Sequence, residues 1–185
     1  MKIIYKTLEA LKNKLDDEGN MEVIAEQGNI HTVNCSFNSP ICNETLLAFQ
    51  QESNWTLPDD YKEFLTHHNG ARIFEMLLGK VNIGGGLRIY SMQEIQKTYE
   101  NLQLTSTYYP IGYVLESYLL INNKDIEQKN LNYLFIASTF PEIKPLNLNF
   151  ELFFDRFIIS QGANFWDWPN YTAKNYYKYQ GGIEF

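Results

Sequence analysis

Three clusters of residue types in this chain could do chemistry. The first is the pair His67-His68, which with His31 makes up all the histidine present. Adjacent residues on a helix point about 100° apart, so the pair cannot converge on one metal ion. No Cys-x-x-Cys and no His-x-x-x-His occurs, which argues against a structural zinc site. The spacing places His68 on an apolar helix face and His67 toward solvent. The second cluster is Gly84-Gly85-Gly86. A phosphate loop needs Gly-x-x-x-x-Gly-Lys-Ser/Thr, and Gly79-Lys80-Val81 does not supply it, nor is the dinucleotide fingerprint present. The glycines read as a strand-to-strand turn. The third is the carboxylates Asp59-Asp60, with Glu63 one turn on and Glu52 nearby. Two readings stand for these: negative charge placed at the positive end of a helix dipole, or an acidic patch for a basic partner. No Gly-x-Ser-x-Gly occurs and neither Cys35 nor Cys42 sits in an activating context. The residues therefore nominate no catalytic group, cofactor or metal ligand, and nominate Asp59, Asp60 and Glu63 as partner-binding residues.

The element that must position these carboxylates is written in Leu57 through Ala71. Pro58 suits the first helical position. Leu57, Tyr61, Phe64, Leu65 and His68 recur on one face, and Asn69-Gly70 supplies a helix stop. Around this helix the chain reads as alternating short elements. Residues 3–18 form an amphipathic helix, and residues 21–25 and 30–37 form a hairpin. Ser39-Pro40 opens a helix that runs to about Ser53. Strands follow over 71–74, 80–83 and 87–90. Ser91 and Glu94 form a capping box before the stripe Met92, Ile95, Tyr99, Leu102. Three more strands fall at 111–114, 118–121 and 133–136, and Asn122-Asn123-Lys124-Asp125 gives turn chemistry. The last helix carries Phe150, Phe153, Phe154, Phe157 and Ile158 on one face and is closed by Gly162. Short strand-to-strand connections predict an α+β fold, a mostly antiparallel sheet packed against helices.

Length, composition and charge set the outer limits. A chain of 185 residues with 44% hydrophobic and 15% aromatic content can build one core. No apolar run reaches the roughly 20 residues of a membrane span, and the first residues lack a signal-peptide core, so the expected location is the cytoplasm. Lys and Arg number 15 against 22 Asp and Glu, a net charge of −7, which argues against direct nucleic-acid binding. The acidity fits either solubility or steering toward a basic protein. The tyrosines Tyr171, Tyr176, Tyr177 and Tyr179 could pack back on the body or form a partner surface.

The run Leu-Pro-x-x-Tyr-x-x-Phe-Leu-x-x-x-Asn-Gly, carried by Leu57, Pro58, Tyr61, Phe64, Leu65, Asn69 and Gly70, resembles the signature of the SUKH superfamily. That superfamily groups fungal regulators of cell-wall glucan synthesis with bacterial immunity proteins. Leu46, Leu47 and Phe49 are similar to its first helix, and Ile111-Gly112 resembles its central strand. Phe150 through Phe157, then Gly162 and Trp166, resemble its closing helix and Gly-x-x-x-Trp end. Ala71 departs from the second glycine often found after Asn-Gly. The likeness covers roughly residues 39–168, which places residues 1–37 as a helix-plus-hairpin extension and 38–185 as the SUKH-like domain. It implies a protein-binding fold, non-enzymatic, whose bacterial members neutralise a polymorphic toxin, often a nuclease, in the producer's cytoplasm; the fungal branch implies instead a regulatory scaffold in envelope synthesis.

Overall fold

The structure, a computed structural model, describes residues 3–170 and residue 172; the tyrosines of the tail, Tyr171 onward, lie outside the described residues. The elements run α1 (Ile3–Lys12), β1 (Asn20–Ile24), β2 (Ile30–Phe37), α2 (Asn43–Ser53), α3 (Asp59–His67), β3 (Ala71–Leu78), β4 (Val81–Gly84) and β5 (Leu87–Ile89). They continue with α4 (Met92–Leu102), β6 (Tyr108–Val114), β7 (Ser117–Asn122), α5 (Asn123–Glu127), β8 (Leu134–Thr139), β9 (Glu142–Pro145) and α6 (Phe150–Ile159). The strands form one sheet in the order β1-β2-β3-β5-β6-β7-β8-β9, with β4 on β3. Every pairing is antiparallel. The α+β architecture expected from the sequence is the one observed.

The sheet turns on β3. Its first half pairs with β5 through Ala71↔Ile89 and Ile73↔Leu87, and its second half pairs with β4 through Met76↔Gly84 and Leu78↔Val81. The switch occurs at Phe74, a non-glycine at φ +60, a conformation that a side chain adopts only when its surroundings enforce it. Here the Phe74 N–H donates to Cys35 Sγ at 3.4 Å, and its ring stacks on Phe157 at 6.0 Å. Gly86 lies against the bend. A Cβ on it would come within 2.6 Å of the Phe74 carbonyl oxygen, so the close approach of two backbones requires glycine there. The glycine triplet is thus a turn that lets β5 fold back onto β3.

Helices α3 and α6 meet through aromatic rings: Tyr61 against Phe150 at 4.9 Å, Phe64 against Phe150 at 5.5 Å and against Phe154 at 5.6 Å. Tyr61, Phe64, Leu65 and the four phenylalanines of α6 are fully buried. Such edge-to-face geometry adds to plain area burial. Helix α1 lies on α6, with Ile4, Leu8 and Leu11 buried. The Ile4 N–H donates to Glu151 Oε1 at 3.1 Å, and Thr7 Oγ1 donates to Asp155 Oδ1 at 2.5 Å. Strand β2 pairs with β3, so the N-terminal hairpin continues the same sheet.

Several element ends differ from the sequence reading. Helix α1 stops at Lys12 rather than near residue 18, because the Asp16 carboxylate collects the N–H groups of Glu18 (2.9 Å) and Asn20 (2.7 Å) in a turn that competes with helix. Helix α2 starts at Asn43 behind Cys42, not at Ser39-Pro40. The 38–41 segment is not helical, and its backbone serves the end of α3: Asn38 N–H donates to Gly70 O, Ile41 N–H to Leu65 O, and Ser39 O accepts from Asn69 N–H. Pro58 caps α3 from outside, at ψ 150, with its carbonyl accepting the first helical bond from Lys62. The α3 stop is at His68, which is already extended, and Gly70 at φ +96 then turns the chain into β3. The Ser91–Glu94 capping box is formed as read, with both reciprocal bonds present.

His68 fastens α1 and β2 to α3. Lys12 Nζ lies 2.7 Å from His68 Nε2, and His68 Nδ1 lies 2.9 Å from Asn38 O. An ammonium only donates, so Nε2 accepts and Nδ1–H donates to the carbonyl. Burial lowers the His68 pKa below 6.5, the Lys12 charge adds to the shift, and the Asn38 bond opposes it.

Two outcomes are expected. Gly86→Ala should destabilise the protein by about 3 kcal/mol or more, whereas Gly79→Ala, with nothing near its Cβ position, should cost only about 1–2 kcal/mol for its positive φ; urea unfolding decides, and equal losses would contradict the bend. His68 contributes stability that is present above about pH 6.5, its unfolded value, and is lost as pH falls through its lower folded value. The stability gap between wild type and His68→Gln should therefore shrink from pH 7.5 toward about pH 5.5. A gap constant with pH would contradict the neutral tautomer.

Candidate functional site

The N-termini of α3 and α6 converge, and Asp60 stands between them. Its Oδ1 accepts from the Tyr61 N–H at 2.9 Å and from the Tyr133 hydroxyl in a short hydrogen bond; its Oδ2 accepts from the Glu151 N–H at 2.9 Å. The Tyr133 oxygen in turn accepts from the Phe150 N–H at 3.0 Å. One carboxylate thus reaches free N–H groups at the starts of two helices, where both dipoles favour negative charge. Asn149 completes the α6 start by accepting from the Leu152 N–H at 2.9 Å. Tyr133 is 3% exposed. Burial first, and the Asp60 charge second, push its pKa far above the ordinary phenol value, so it remains a donor.

The three nominated carboxylates have three different surroundings. Asp59 is 90% exposed at its side chain and pairs with Lys62 Nζ at 2.7 Å. Asp60 is directed inward, into the junction just described. Glu63 lies one turn further along α3, where it accepts from the Tyr5 hydroxyl of α1, a bond that pushes the Tyr5 pKa up to about 12. Asp59 and Asp60 line a cleft of about 500 Å³ between the start of α3, the α5–β8 connection and the start of α6; Glu63 is not part of it. Lys62, Lys129 and Glu151 give the cleft mixed charge, and Leu131 stands 73% exposed at its edge. A surface of this kind suits a protein partner with complementary charges around an apolar contact.

The other sequence candidates fall apart in space. His67 is exposed and packs edge-on against Tyr5 at 4.5 Å, while His68 turns to Asn38 and Lys12. Among the described residues no group of three His, Cys, Asp or Glu is placed to hold a metal ion. Cys35 is buried, which raises its thiol pKa to about 11, and Cys42 is exposed. Tyr133, which completes the junction, carried no signal beyond a strand residue in the sequence, since its partner Asp60 is 73 positions away.

Residues 40–156 match the SMI1/KNR4 family, SUKH-1. The chain belongs to this family. The SUKH-1 match starts just before α2 and ends inside α6, so it contains α3 and the start of α6, the two ends that meet at Asp60. YobM of Bacillus subtilis (strain 168) is 41% identical over 179 residues, covering 95% of this chain and 97% of YobM. YnaB of the same organism is 29% identical over 146 residues, covering 77% of this chain and 92% of YnaB. The YobM match extends beyond the SUKH-1 segment at both ends and takes in the α1–β2 region.

Tyr133→Phe removes the donor to Asp60 and leaves the Phe150 N–H without its acceptor. It should cost about 2–3 kcal/mol, while Asp59→Asn, at a side chain that is exposed and ion-paired with Lys62, should cost at most about 1 kcal/mol. Chemical denaturation of the two variants checks this; similar losses would place the junction's importance elsewhere.

Proposed function

We propose that this protein is a cytoplasmic immunity protein that binds and neutralises a cognate polymorphic toxin, with nucleases the first toxin class to test. Membership of the SUKH-1 family carries the reading. The net charge of −7 supports it, since an acidic antidote is steered toward a basic toxin domain. Neutralisation is by occlusion of the toxin's active surface and needs no catalysis, cofactor or contact with nucleic acid. Among the described residues no helix is long and apolar enough to cross a membrane.

The partner-binding residues in this reading remain Asp59, Asp60 and Glu63, with different duties. Asp59 and Glu63 contact the partner, and Asp60 fixes the α3 start that presents them. The second reading, a non-enzymatic scaffold in cell-wall or envelope synthesis, draws on the same family membership through its fungal branch.

Co-expression with the product of the neighbouring reading frame, in a host which that product kills, separates the two. Rescue with a co-purifying complex is the expected result. No rescue and no complex, together with a wall phenotype on deletion, would favour the scaffold. Within a complex, Asp59→Lys with Glu63→Lys should weaken affinity about tenfold or more, about 1.4 kcal/mol, with the fold intact by circular dichroism. Unchanged affinity would remove α3 from the interface.

A further inference from the structure

Helix α2 is only lightly anchored to the core. It buries Leu46 alone, holds Phe49 and Gln50 half-buried, and leaves Leu47 58% exposed. Helix α4 is fixed, by its capping box and by buried Met92 and Ile95. Between them runs an open groove of about 620 Å³. Phe49 and Met92 give it an apolar floor, and Ala48, small and exposed, leaves it wide. Trp55, directly after α2, packs edge-on against Tyr99 of α4 at 4.7 Å, so the C-terminal ends of the two helices lie together. The lining there carries Glu52 and Glu100 against Lys97. The negative ends of both helix dipoles add to this charge.

We propose that this groove docks a partner protein through an amphipathic helix whose apolar side chains rest on Phe49 and Met92 and whose Lys or Arg residues meet Glu52 and Glu100. Laying a helix between two helices is an established recognition geometry, and charge complementarity selects the basic flank. A second copy of this chain is disfavoured as occupant: its net charge is −7, and a two-fold contact would oppose Glu52 and Glu100 to themselves. The inference rests on the reading that the protein acts by binding another protein, and adds to the α3 cleft a second contact surface.

The test titrates the full-length ¹⁵N-labelled protein with a stapled amphipathic helix of about 16 residues, leucines on one face, in Lys-flanked and Glu-flanked versions. The Lys-flanked helix should give saturable shifts at α2 and α4 amides that weaken with salt. Glu52→Lys with Glu100→Lys, and separately Ala48→Trp, should each reduce its affinity about tenfold or more; all three positions are exposed, and unchanged spectra elsewhere report an intact fold. No saturable shifts at α2 and α4, or equal binding of the two versions, would overturn the groove. No toxin is used, so such a failure leaves the rescue result to decide the immunity reading.

Discussion

A single carboxylate, shared between the starts of two helices, holds this fold in register. Asp60 accepts from the backbone of α3 and of α6 and from Tyr133, the residue that leads into β8. The helix-dipole fields at both N-termini favour its charge, and the buried phenol supplies a donor that stays protonated. The junction fixes the angle at which Tyr61 and Phe64 meet the phenylalanines of α6. Helix α6 then carries α1 through Glu151 and Asp155. An aromatic layer alone gives burial but little direction; the hydrogen bonds of Asp60 and Tyr133 give the direction.

This arrangement divides the charged residues by duty. Asp60 faces inward and cannot be exchanged without leaving N–H groups unpaired, whereas the Asp59–Lys62 pair lies at the surface, where such pairs contribute little. Exchanging a surface carboxylate of that kind leaves the bonds of the junction untouched.

What the sequence disclosed was local. The α3 face, the Ser91–Glu94 capping box, the β1–β2 hairpin and the α6 stripe each depend on residues a few positions apart, and each formed where it was read. The dipole reading of Asp60 found half of its role; the other half depends on Tyr133 and Glu151, which are 73 and 91 positions distant. The Ser39-Pro40 start failed for the same kind of reason, since the backbone of 38–41 is engaged by the far end of α3. Strand β9, at the edge of the sheet, ends in Pro145, a position where proline is tolerated because no ladder bond is needed there. Asn122, a turn residue by type, accepts from the N–H groups of Lys124 and Asp125 and caps the short helix α5. The exposed groove between α2 and α4 had no local signature, because its two walls are separated in the chain by three strands and α3.

Amide hydrogen exchange of the Asp60→Asn protein tests the junction most directly, since it reads single N–H groups. The reference is the Glu94 amide, held by the Ser91 cap on a separate helix. Exchange at Phe150 and Glu151 should speed up by about tenfold or more relative to wild type while Glu94 changes little. If Phe150 and Glu151 keep their wild-type rates, or rise by the same factor as Glu94, Asp60 does not hold the two helices together.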